Sequence, residues 1–401
     1  SFALEMKAAE KLGRRRFFRL EVKPNVCVLE DVTFSESEMD DVIAIVGKDL
    51  YTADLRETLA QFEQATNFGS LIVPKLKNPA ETARLIEAKD FSGDLLLTEV
   101  HERVVKVLRM SEYLSPQYHV VVANPPYMHS AGMNQELSHY IRQSYPDTKS
   151  DLMTAFIDRI LLATLQKGCA SIVTLDGWMF LNSYKELRVK VISNYDIRSL
   201  VHVGWNCFPD GHTYNRGVAF VITPSIKKNN GIYLNLSNVA ATVDKDKLFL
   251  ERKKSGDFLY KVSSQDFESI PGMPIAYDVN SNIKSVFSKG MPLKSICDVK
   301  KGADTGNNAI FLRYWHEVSV SDINPKSKKW VFYNKGGAFR KWYGNYDYVL
   351  FWNGDGYKLK NSKANLRSPQ HYFKPSLTWS ALTSSNFSMR FSDKDTIFDS
   401  A

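Results

Sequence analysis

One stretch of the chain, HVVVANPPYMHS at residues 119–130, carries an apolar run directly into Asn124, Pro125, Pro126 and Tyr127. Consecutive prolines cannot donate to a strand ladder and cannot sit inside a helix. The run 119–123 is therefore predicted to be a buried strand that stops at Asn124. The residues after it are predicted to form a stiff, solvent-facing loop at the carboxyl end of that strand, which is where open α/β sheets bind ligands.

The residue types in this loop suit recognition of an exocyclic amino group. Asn124 offers a side-chain carbonyl acceptor, and the carbonyl of the following proline is a second acceptor held at fixed φ. Hydrogen bonds from both amino hydrogens to these acceptors draw the nitrogen out of conjugation, so its lone pair can attack an electrophile in line. Tyr127 gives a flat face for stacking a flipped-out base. Positioning and fixed dipoles would carry this chemistry without a general base of tuned pKa.

The bulk composition is that of a globular protein. The chain has 401 residues, of which 44% are hydrophobic and 24% charged, enough for two or three domains. The net charge of +8 favours a polyanionic partner such as nucleic acid. No apolar run is long enough to span a membrane and no signal peptide is recognisable, so we expect no membrane partner and a cytoplasmic location.

The cysteines and histidines suggest no special chemistry. Cys27, Cys169, Cys207 and Cys297 form no C-x-x-C pair and are predicted to be reduced and buried. The histidines are scattered, and no spacing typical of a metal site is present. We therefore predict no metal.

Strands that alternate with helices predict a doubly wound α/β domain over residues 1–224. Predicted strands cover residues 25–32, 120–123, 169–180, 197–208 and 217–223. A helical insertion is predicted at about 35–115, with a capping box at Ser35 and Glu38 and a second start signal at Asn78 and Pro79. Further helices are predicted at 151–166, capped by Ser150, and at 183–194.

The composition changes in the second half of the chain. Residues 225–290 are polar and are predicted to form an edge hairpin and a connector. From Met291 onward aromatic residues, Gly, Asn, Lys and Arg become dense, and helical periodicity disappears. Residues 291–401 are therefore predicted to form a second domain rich in β structure and loops.

Several motifs resemble those of one enzyme family. VVVANPPY resembles the fourth conserved motif of the N6-adenine DNA methyltransferases, which use S-adenosylmethionine. KKGADTGNNAIFLRYW (residues 300–315) resembles a stretch in the target-recognition domain of the γ-type enzymes, in which that domain follows the catalytic one. The resemblance extends over almost the whole chain to the PglX-type methyltransferase of BREX phage-defence systems, through FALEMKA, GHTYNRGVAFVI, WVFYNKGGAFRKWYGN and SLTWSALTSSNFSMRF.

This resemblance implies a Rossmann-like core that flips an adenine out of double-stranded DNA and methylates its N6, with other phage-defence proteins as partners. It makes Asn124, Pro125, Pro126 and Tyr127 catalytic. Phe208 would stack on the flipped adenine from the other side, although a core Phe explains it too. Glu30 and Asp31 would meet the cofactor's adenine, or are solvated loop acids. Asp151 and Phe156 match the helix that lines the site, and ordinary packing explains them equally well.

The resemblance and the residue pattern both point to DNA contacts in the second domain. Cations there interleave with aromatics and with Gly and Asn turns, which suits phosphate contacts and base-edge readout. A solvated face with inward-turned aromatics is the alternative. The candidates are Lys301, Thr305, Gly306, Asn307, Arg313, Lys335, Arg340, Lys341 and Trp342.

A complete enzyme of this family has a Gly-rich loop after its first strand that holds the cofactor. In residues 1–118 the glycines Gly13, Gly47, Gly69 and Gly93 are isolated, so no such loop is present. Residues 1–12 resemble the helix after the second strand of the fold. We therefore expect a fragment whose cofactor motifs lie upstream of Ser1, and which alone neither binds S-adenosylmethionine nor methylates DNA.

Three other functions stay open. A fused restriction and modification enzyme would need a nuclease site. The half-motifs at residues 21–23, 87–89 and 146–147 lie in no sensible order for one. The chain could instead be a DNA-binding defence subunit with a vestigial loop. NPPY also occurs in methyltransferases that act on protein glutamine or rRNA guanine, which the basic aromatic domain disfavours.

Overall fold

The computed structural model describes residues 6–7, 9–11, 25–91, 93–208, 215–225, 229–323, 329–380 and 386–399. Contacts divide the chain into two units, Ser1–Gly290 and Met291–Ala401. Among the described residues, no helix is both long and apolar enough to cross a membrane. The start of the chain, with its basic run at 14–16, lies largely outside the described residues.

Four longer helices, with the single-turn helix Ala65–Phe68 between the second and the third, lie where a helical insertion was predicted. They are α1 (Glu36–Val46), α2 (Ala53–Gln61), α3 (Pro79–Glu87) and α4 (Leu95–Leu114). The predicted capping box is confirmed, since Ser35 accepts from the Glu38 backbone and Glu38 accepts from that of Ser35. Helix α3 begins at Pro79 as predicted, although the Asn78 side chain makes no capping bond. Buried apolar residues, including Ile45, Phe62 and Val104, form a core of their own between these helices.

The strand predicted at residues 25–32 is wrong. The segment is extended but pairs with no strand in the described chain. Cys27 and Leu29 pack against the helical core, whereas Val28 on the opposite side is 68% exposed. Alternating apolar residues fit any extended chain with one buried side, and here that side lies on helices rather than in a sheet.

A six-stranded mixed sheet forms the centre of the first unit. Its strands are β1 (Tyr118–Ala123), β2 (Thr164–Leu175), β3 (Tyr195–Trp205), β4 (Arg216–Pro224), β5 (Asn230–Asn235) and β6 (Leu259–Ser263), in the order β1-β2-β4-β3-β5-β6. β1 is parallel to β2, and β3 to β5, whereas the other neighbours are antiparallel. The predicted α/β class is therefore confirmed.

The strand before the Asn-Pro-Pro-Tyr loop is present, but its predicted burial is wrong. β1 is an edge strand whose only partner in the described residues is β2. Val120 is 61% and Val122 73% exposed. Hydrophobicity alone cannot tell an edge strand from a central one, because both can carry the same apolar run.

Two helices pack on this sheet, α6 (Leu152–Leu162) and α7 (Lys185–Asn194), while α5 (Gln135–Ser144) precedes them. Helix α6 is shorter than predicted, and its cap is Asp151 rather than Ser150. Gly168 lies within β2 and does not end the helix. A Cβ there would come within 2.6 Å of the His119 carbonyl oxygen, so Gly168 permits the close approach of β1.

Residues 225–290 extend the same sheet. β5 and β6 are antiparallel neighbours at the far edge, as an edge hairpin would be, but α8 (Lys245–Ser255) joins them in place of a tight turn. Asp244 caps this helix and Gly256 ends it in the left-handed conformation. Helix α9 (Ser281–Lys289) follows before the second unit begins.

The second unit consists of short strands, loops and two short helices (Asn308–Phe311 and Asn353–Lys360) around a small core. A four-stranded sheet has the order β14-β9-β10-β8, formed by β8 (Leu312–Tyr314), β9 (Trp330–Asn334), β10 (Tyr348–Phe351) and β14 (Thr396–Phe398). Two-stranded ribbons pair β7 (Ala303–Asp304) with β11 (Asn365–Leu366), and β12 (Ser376–Trp379) with β13 (Met389–Ser392). Tyr333, Leu350 and Ile397 lie in its core.

All four cysteines are free thiols, as predicted, but their predicted burial is wrong. Cys297 is exposed, and Cys27, Cys169 and Cys207 are partly exposed.

Candidate active site

The Asn-Pro-Pro-Tyr loop lies at the carboxyl end of β1, as predicted. Residues 124–128 have no regular structure, and Asn124 is the first residue beyond the strand. Pro125 is buried beneath the loop, whereas Asn124 and Pro126 face solvent. The parallel pairing of β1 with β2 places Asn124 beside the last residues of β2, and the Tyr127 hydroxyl lies 3.5 Å from the Val173 carbonyl oxygen. A rigid, accessible Asn therefore stands at the edge of the sheet.

The hydroxyl of Tyr127 donates a hydrogen bond to the Asn124 side-chain oxygen at 3.1 Å. Burial raises the pKa of Tyr127 to about 12, and the neighbouring Cys207 thiol adds to the rise. The hydroxyl therefore stays protonated at neutral pH and remains a donor. The side-chain acceptor that would receive an amino group is thus already occupied by Tyr127.

Phe208 faces Tyr127 across the loop. Their ring centroids are 5.8 Å apart and the rings are tilted by 33°. The sequence predicts that Tyr127 and Phe208 stack on opposite faces of the flipped base, and the structure places their rings next to each other. A base between the two rings would have to stack on each of them at van der Waals distance. The present separation is too small for this, so the rings must move apart before a base can enter.

A tight contact with β4 fixes the segment that carries Phe208. The Cys207 sulfur lies so close to Gly217 that a Cβ there would come within 2.4 Å of it. Asn206 has a positive φ of 56° and donates to the Ala241 carbonyl oxygen at 3.2 Å. The two residues before Phe208 are therefore fixed against β4 and the Ala241 backbone, while residues 209–214 lie outside the described chain.

Sequence reasoning missed a buried polar network at the same edge of the sheet. One carboxylate oxygen of Asp176, Oδ2, accepts from Arg216 Nε at 2.8 Å and lies 2.8 Å from His202 Nε2. The other ring nitrogen of His202 lies 2.8 Å from the Tyr277 hydroxyl. The available signal was Asp176 directly after an apolar strand, a position that often carries function in α/β sheets.

The N-terminus of α6 is attached to the candidate loop. Asp151 caps the helix by accepting from the Met153 backbone, and Leu152 donates to the Met128 carbonyl oxygen at 2.9 Å. Burial raises the pKa of Asp151. Phe156 packs against the core of the sheet. The Leu152 bond to Met128 and the backbone bridge between Asp151 and His129 therefore attach the start of α6 to the end of the loop.

The two residues nominated for cofactor contact have other partners. Glu30 lies 2.6 Å from Lys106 Nζ, and Asp31 accepts from the backbone and hydroxyl of Thr66, which lowers the pKa of Asp31. No hydrogen bond joins either residue to the Asn124 loop within the described chain. Among the described residues before β1 there is no strand followed by a glycine turn. The described residues alone do not fit S-adenosylmethionine, and the role of Glu30 and Asp31 stays a prediction.

Three of the candidate DNA contacts build a turn in the second unit. Thr305 is buried and hydrogen-bonds Asn308, while the Asn307 side chain accepts from the Ile310 backbone. Gly306 has a φ of 64°, and a Cβ there would lie 2.7 Å from the Lys363 carbonyl oxygen. These contacts explain the residue types through local folding. Their proposed role at DNA stays a prediction.

The other candidates are more accessible. One largely exposed loop, residues 335–347, carries Lys335, Arg340, Lys341 and Trp342. Two backbone hydrogen bonds hold it on β13: Trp342 donates to the Met389 carbonyl oxygen, and Phe391 donates to the Trp342 carbonyl oxygen. Lys341 lies over the Trp342 ring at 5.0 Å, and Lys335 over Tyr348 at 5.7 Å. Lys301 is exposed, and Arg313 donates to two nearby backbone carbonyls. The loop thus presents cations and aromatic rings together.

The nuclease half-motif at 87–89 has structural partners. Glu87 binds Arg109 at 2.7 Å, and Lys89 donates to the carbonyl oxygens of Ile45 and Val46 at the end of α1. The half-motif at 21–23 lies outside the described residues. Neither Glu87 nor Lys89 is therefore available for a nuclease site.

Comparisons with known proteins agree with the family that the motifs resemble. The family model of the Eco57I restriction-modification methylase matches residues 46–208. The adenine-specific methyltransferase PglX of Lacticaseibacillus casei (strain Zhang) is 32% identical over 100% of this chain and 35% of PglX. The adenine-specific methyltransferase BrxX of Escherichia coli O9:H4 (strain HS) is 32% identical over 86% of this chain and 29% of BrxX.

Likeness to solved structures is weaker. The Type IIL restriction-modification enzyme MmeI in complex with DNA is 12% identical, with a TM-score of 0.43 over 92% of this chain and 61% of MmeI, which is too low to support a conclusion. The two curated relatives therefore carry the assignment, and the chain spans about a third of their length. On these grounds the chain belongs to the family of the adenine-specific methyltransferases PglX and BrxX.

Proposed function

We propose that the protein containing this chain transfers a methyl group from S-adenosylmethionine to adenine N6 in double-stranded DNA, as part of phage defence in the cytoplasm. The observation that carries the proposal is Asn124, accessible at the carboxyl end of β1, with Tyr127 and Phe208 facing each other beside it. The names of the curated relatives support the adenine target.

In this mechanism the base enters between Tyr127 and Phe208. The Asn124 side-chain oxygen and the Pro125 carbonyl accept the two hydrogens of the amino group, which localises the lone pair on its nitrogen. The rings first separate from 5.8 Å, and the amino group replaces the Tyr127 hydroxyl on Asn124. When bound, S-adenosylmethionine would supply the methyl group and leave as S-adenosylhomocysteine, and the methylated nitrogen would release one of its hydrogens to water as a proton.

The cofactor site belongs, in this proposal, mainly to parts of the protein outside the present chain. The exposed apolar edge of β1 supports this, because a further strand from those parts can pair with it and cover Val120 and Val122. The partners of Glu30 and Asp31 support it too. We therefore expect the isolated chain to bind S-adenosylmethionine weakly, if at all, and to leave DNA unmethylated.

The second unit would recognise the DNA sequence. The loop at 335–347 offers Lys335, Arg340 and Lys341 for phosphates, and the exposed ring of Trp342 for a base or sugar. Lys301, Thr305, Gly306, Asn307 and Arg313 would support or extend that surface. Other proteins of the defence system complete the expected partners.

Single-molecule sequencing of genomic DNA tests the proposal. Cells would carry the complete parent gene, the parent with Asn124→Ala, the parent with Asn194→Ala as a control, or the present chain alone. Asn194 is a matched control because its exposed side chain donates to the Lys190 carbonyl oxygen of its own helix and makes no other hydrogen bond within the described residues. We expect one non-palindromic motif to carry N6-methyladenine with the parent and the control, and none with the other two.

Two other results would each contradict a part of the proposal. Methylation that survives Asn124→Ala would remove Asn124 from the mechanism. No methylated motif with the complete parent would favour a non-catalytic DNA-binding subunit, in which the Asn-Pro-Pro-Tyr loop is structural.

A further inference from the structure

A charged group that the proposed mechanism does not use lies at the same edge of the sheet as Asn124. Arg216 is the first residue of β4 and is the cross-strand partner of Trp205, the last residue of β3. Its neighbour Gly217 pairs with Leu175, which brings Arg216 beside Asp176 at the end of β2. The carboxyl ends of β1, β2 and β3 and the start of the antiparallel β4 all lie at this edge.

The Arg216 side chain is held in one orientation by two different contacts. Its Nε donates to Asp176 Oδ2 at 2.8 Å, and its guanidinium carbon lies 5.3 Å from the centre of the Trp205 ring. Asp176 is itself buried and is fixed by His202, which is fixed in turn by the buried Tyr277. A guanidinium held at Nε and on one face loses little further freedom when it binds a ligand.

The free end of the same guanidinium is directed away from these contacts. Within the described chain, the two terminal nitrogens of Arg216 have no hydrogen-bond partner, and 38% of the side chain is exposed. Paired donors in a planar fork fit two oxygens of one oxyanion, and a phosphate has that geometry. Because His202 already binds Asp176, the carboxylate does not need Arg216 as its only partner.

We propose that Arg216 binds a backbone phosphate of the DNA strand whose base enters between Tyr127 and Phe208. The inference rests on the proposed function, since it takes double-stranded DNA as the ligand. The chain also links the two positions. Cys207 precedes Phe208 and packs on Gly217, which follows Arg216. A phosphate held by Arg216 would therefore position the strand against the same segment that carries the stacking ring.

The test uses the complete parent protein and duplex DNA that contains its methylation motif. Equilibrium binding would be measured at several salt concentrations for the parent, Arg216→Gln and Arg198→Gln. Arg198 is a matched control, since it also pairs with an aspartate, Asp196 at 3.4 Å, but lies near the opposite end of β3. Each lost phosphate contact reduces the slope of log K against log salt by about 0.9.

We expect Arg216→Gln to reduce the slope by about 0.9 and to weaken binding roughly tenfold at low salt, with Arg198→Gln like the parent. Arg216→Lys should keep most of the slope yet bind more weakly than the parent, because an ammonium lacks the planar fork. An unchanged slope and affinity in Arg216→Gln, with a lowered melting temperature, would reduce Arg216 to a structural ion pair. If Arg216→Gln does not fold, Arg216→Met takes its place, since it keeps an unbranched side chain without the charge, and an unchanged slope and affinity in that folded variant give the same negative answer.

Methylation of the same DNA, measured in parallel, separates this inference from the proposed function. A parent that methylates, with an unchanged slope in Arg216→Gln, contradicts the phosphate contact alone. A parent that binds but does not methylate, with a reduced slope in Arg216→Gln, contradicts the proposed reaction and supports the contact. A parent that does not bind the duplex contradicts both.

Discussion

The hydroxyl and the ring of Tyr127 have separable roles at the scale of single residues. The hydroxyl occupies Asn124 Oδ1 before any base is present, whereas the ring forms one side of the slot closed by Phe208. Removing the hydroxyl leaves Asn124 free and keeps the stacking face. Removing the ring also removes the stacking, which is worth about 1–3 kcal/mol per base.

We therefore expect Tyr127→Phe in the parent protein to keep kcat/KM for DNA methylation within a few-fold of the parent value. Tyr127→Ala should lower it by about 5- to 150-fold, which is the stacking energy expressed as a rate ratio. Steady-state methylation of a duplex oligonucleotide measures both. Equal losses in the two variants would show that the hydroxyl, and not the ring, carries the effect.

The positions of single residues could be predicted where the signal is local in the sequence, whereas their roles stay predictions. The Asn-Pro-Pro-Tyr loop follows from its prolines and the apolar run before it, and Phe208 came from resemblance. The Asp176, His202 and Arg216 network could not be predicted, because its members come from three strands whose order in the sheet the sequence does not state. Glu30 and Asp31 were predicted to contact the cofactor because of their position in the sequence. That position does not reveal that Lys106 and Thr66 are their partners in the fold.

At the scale of elements, the start of α1 combines a helix cap with an ion pair. Glu38 accepts from the Ser35 backbone at 2.8 Å and also binds Arg103 of α4. The hydrogen bond from Arg103, followed by that from Ser35, lowers the pKa of Glu38 from 4.5 to about 2. A carboxylate whose pKa is depressed by folding stabilises the folded state above the unfolded pKa, and this stabilisation is lost as the pH falls through the folded pKa.

Replacing Glu38 by Gln keeps the side-chain oxygen that caps Ser35 but removes the charge paired with Arg103, and it should lower the free energy of unfolding by about 0.5 kcal/mol at neutral pH, a usual value for a partly exposed ion pair. The difference from the parent chain should shrink between pH 4.5 and about 2, where the carboxylate of the parent protonates. Urea titrations at several pH values measure it. Glu36→Gln, in the same helical turn but without a contact to Arg103 in the described residues, is the control, and an effect of equal size there would argue against the ion pair.

Element prediction succeeded where caps and periodicity agree and failed where tertiary contacts decide. Ser35 with Glu38, and Pro79 after Asn78, marked real helix starts. The helix predicted at 151–166 ends at Leu162 because the chain must turn there to pair β2 with β1, and Gly168 serves that pairing. The segment 25–32 was predicted to be a strand because its apolar residues alternate, but its buried side packs on helices and not in a sheet.

For the whole molecule, the α/β class and the change to short strands after Met291 could be read from the sequence. The position of β1 at the edge of the sheet could not, because burial depends on which neighbours a strand has. That position leaves Val120 and Val122 uncovered on a strand with free hydrogen-bonding groups, a surface that favours pairing with another strand. This chain spans about a third of its curated relatives, so we expect the remaining protein to provide that strand.

The exposed edge predicts opposite effects of one substitution in two contexts. In the isolated chain Val122→Lys should change stability by less than about 0.5 kcal/mol and reduce self-association, because the side chain is exposed and a lysine discourages edge pairing. In the parent the same lysine would be buried beside a new strand, so the free energy of unfolding should fall by at least ~2 kcal/mol and cofactor binding should weaken. Light scattering of the isolated chain measures its self-association. Thermal melts and calorimetric titration of S-adenosylmethionine measure the stability and the cofactor binding of the parent.

The control is Ile232→Lys, at another exposed apolar position but on the interior strand β5, and its effect should be small in both contexts. A parent that tolerates Val122→Lys as well as it tolerates Ile232→Lys would mean that the edge of β1 stays open in the complete protein.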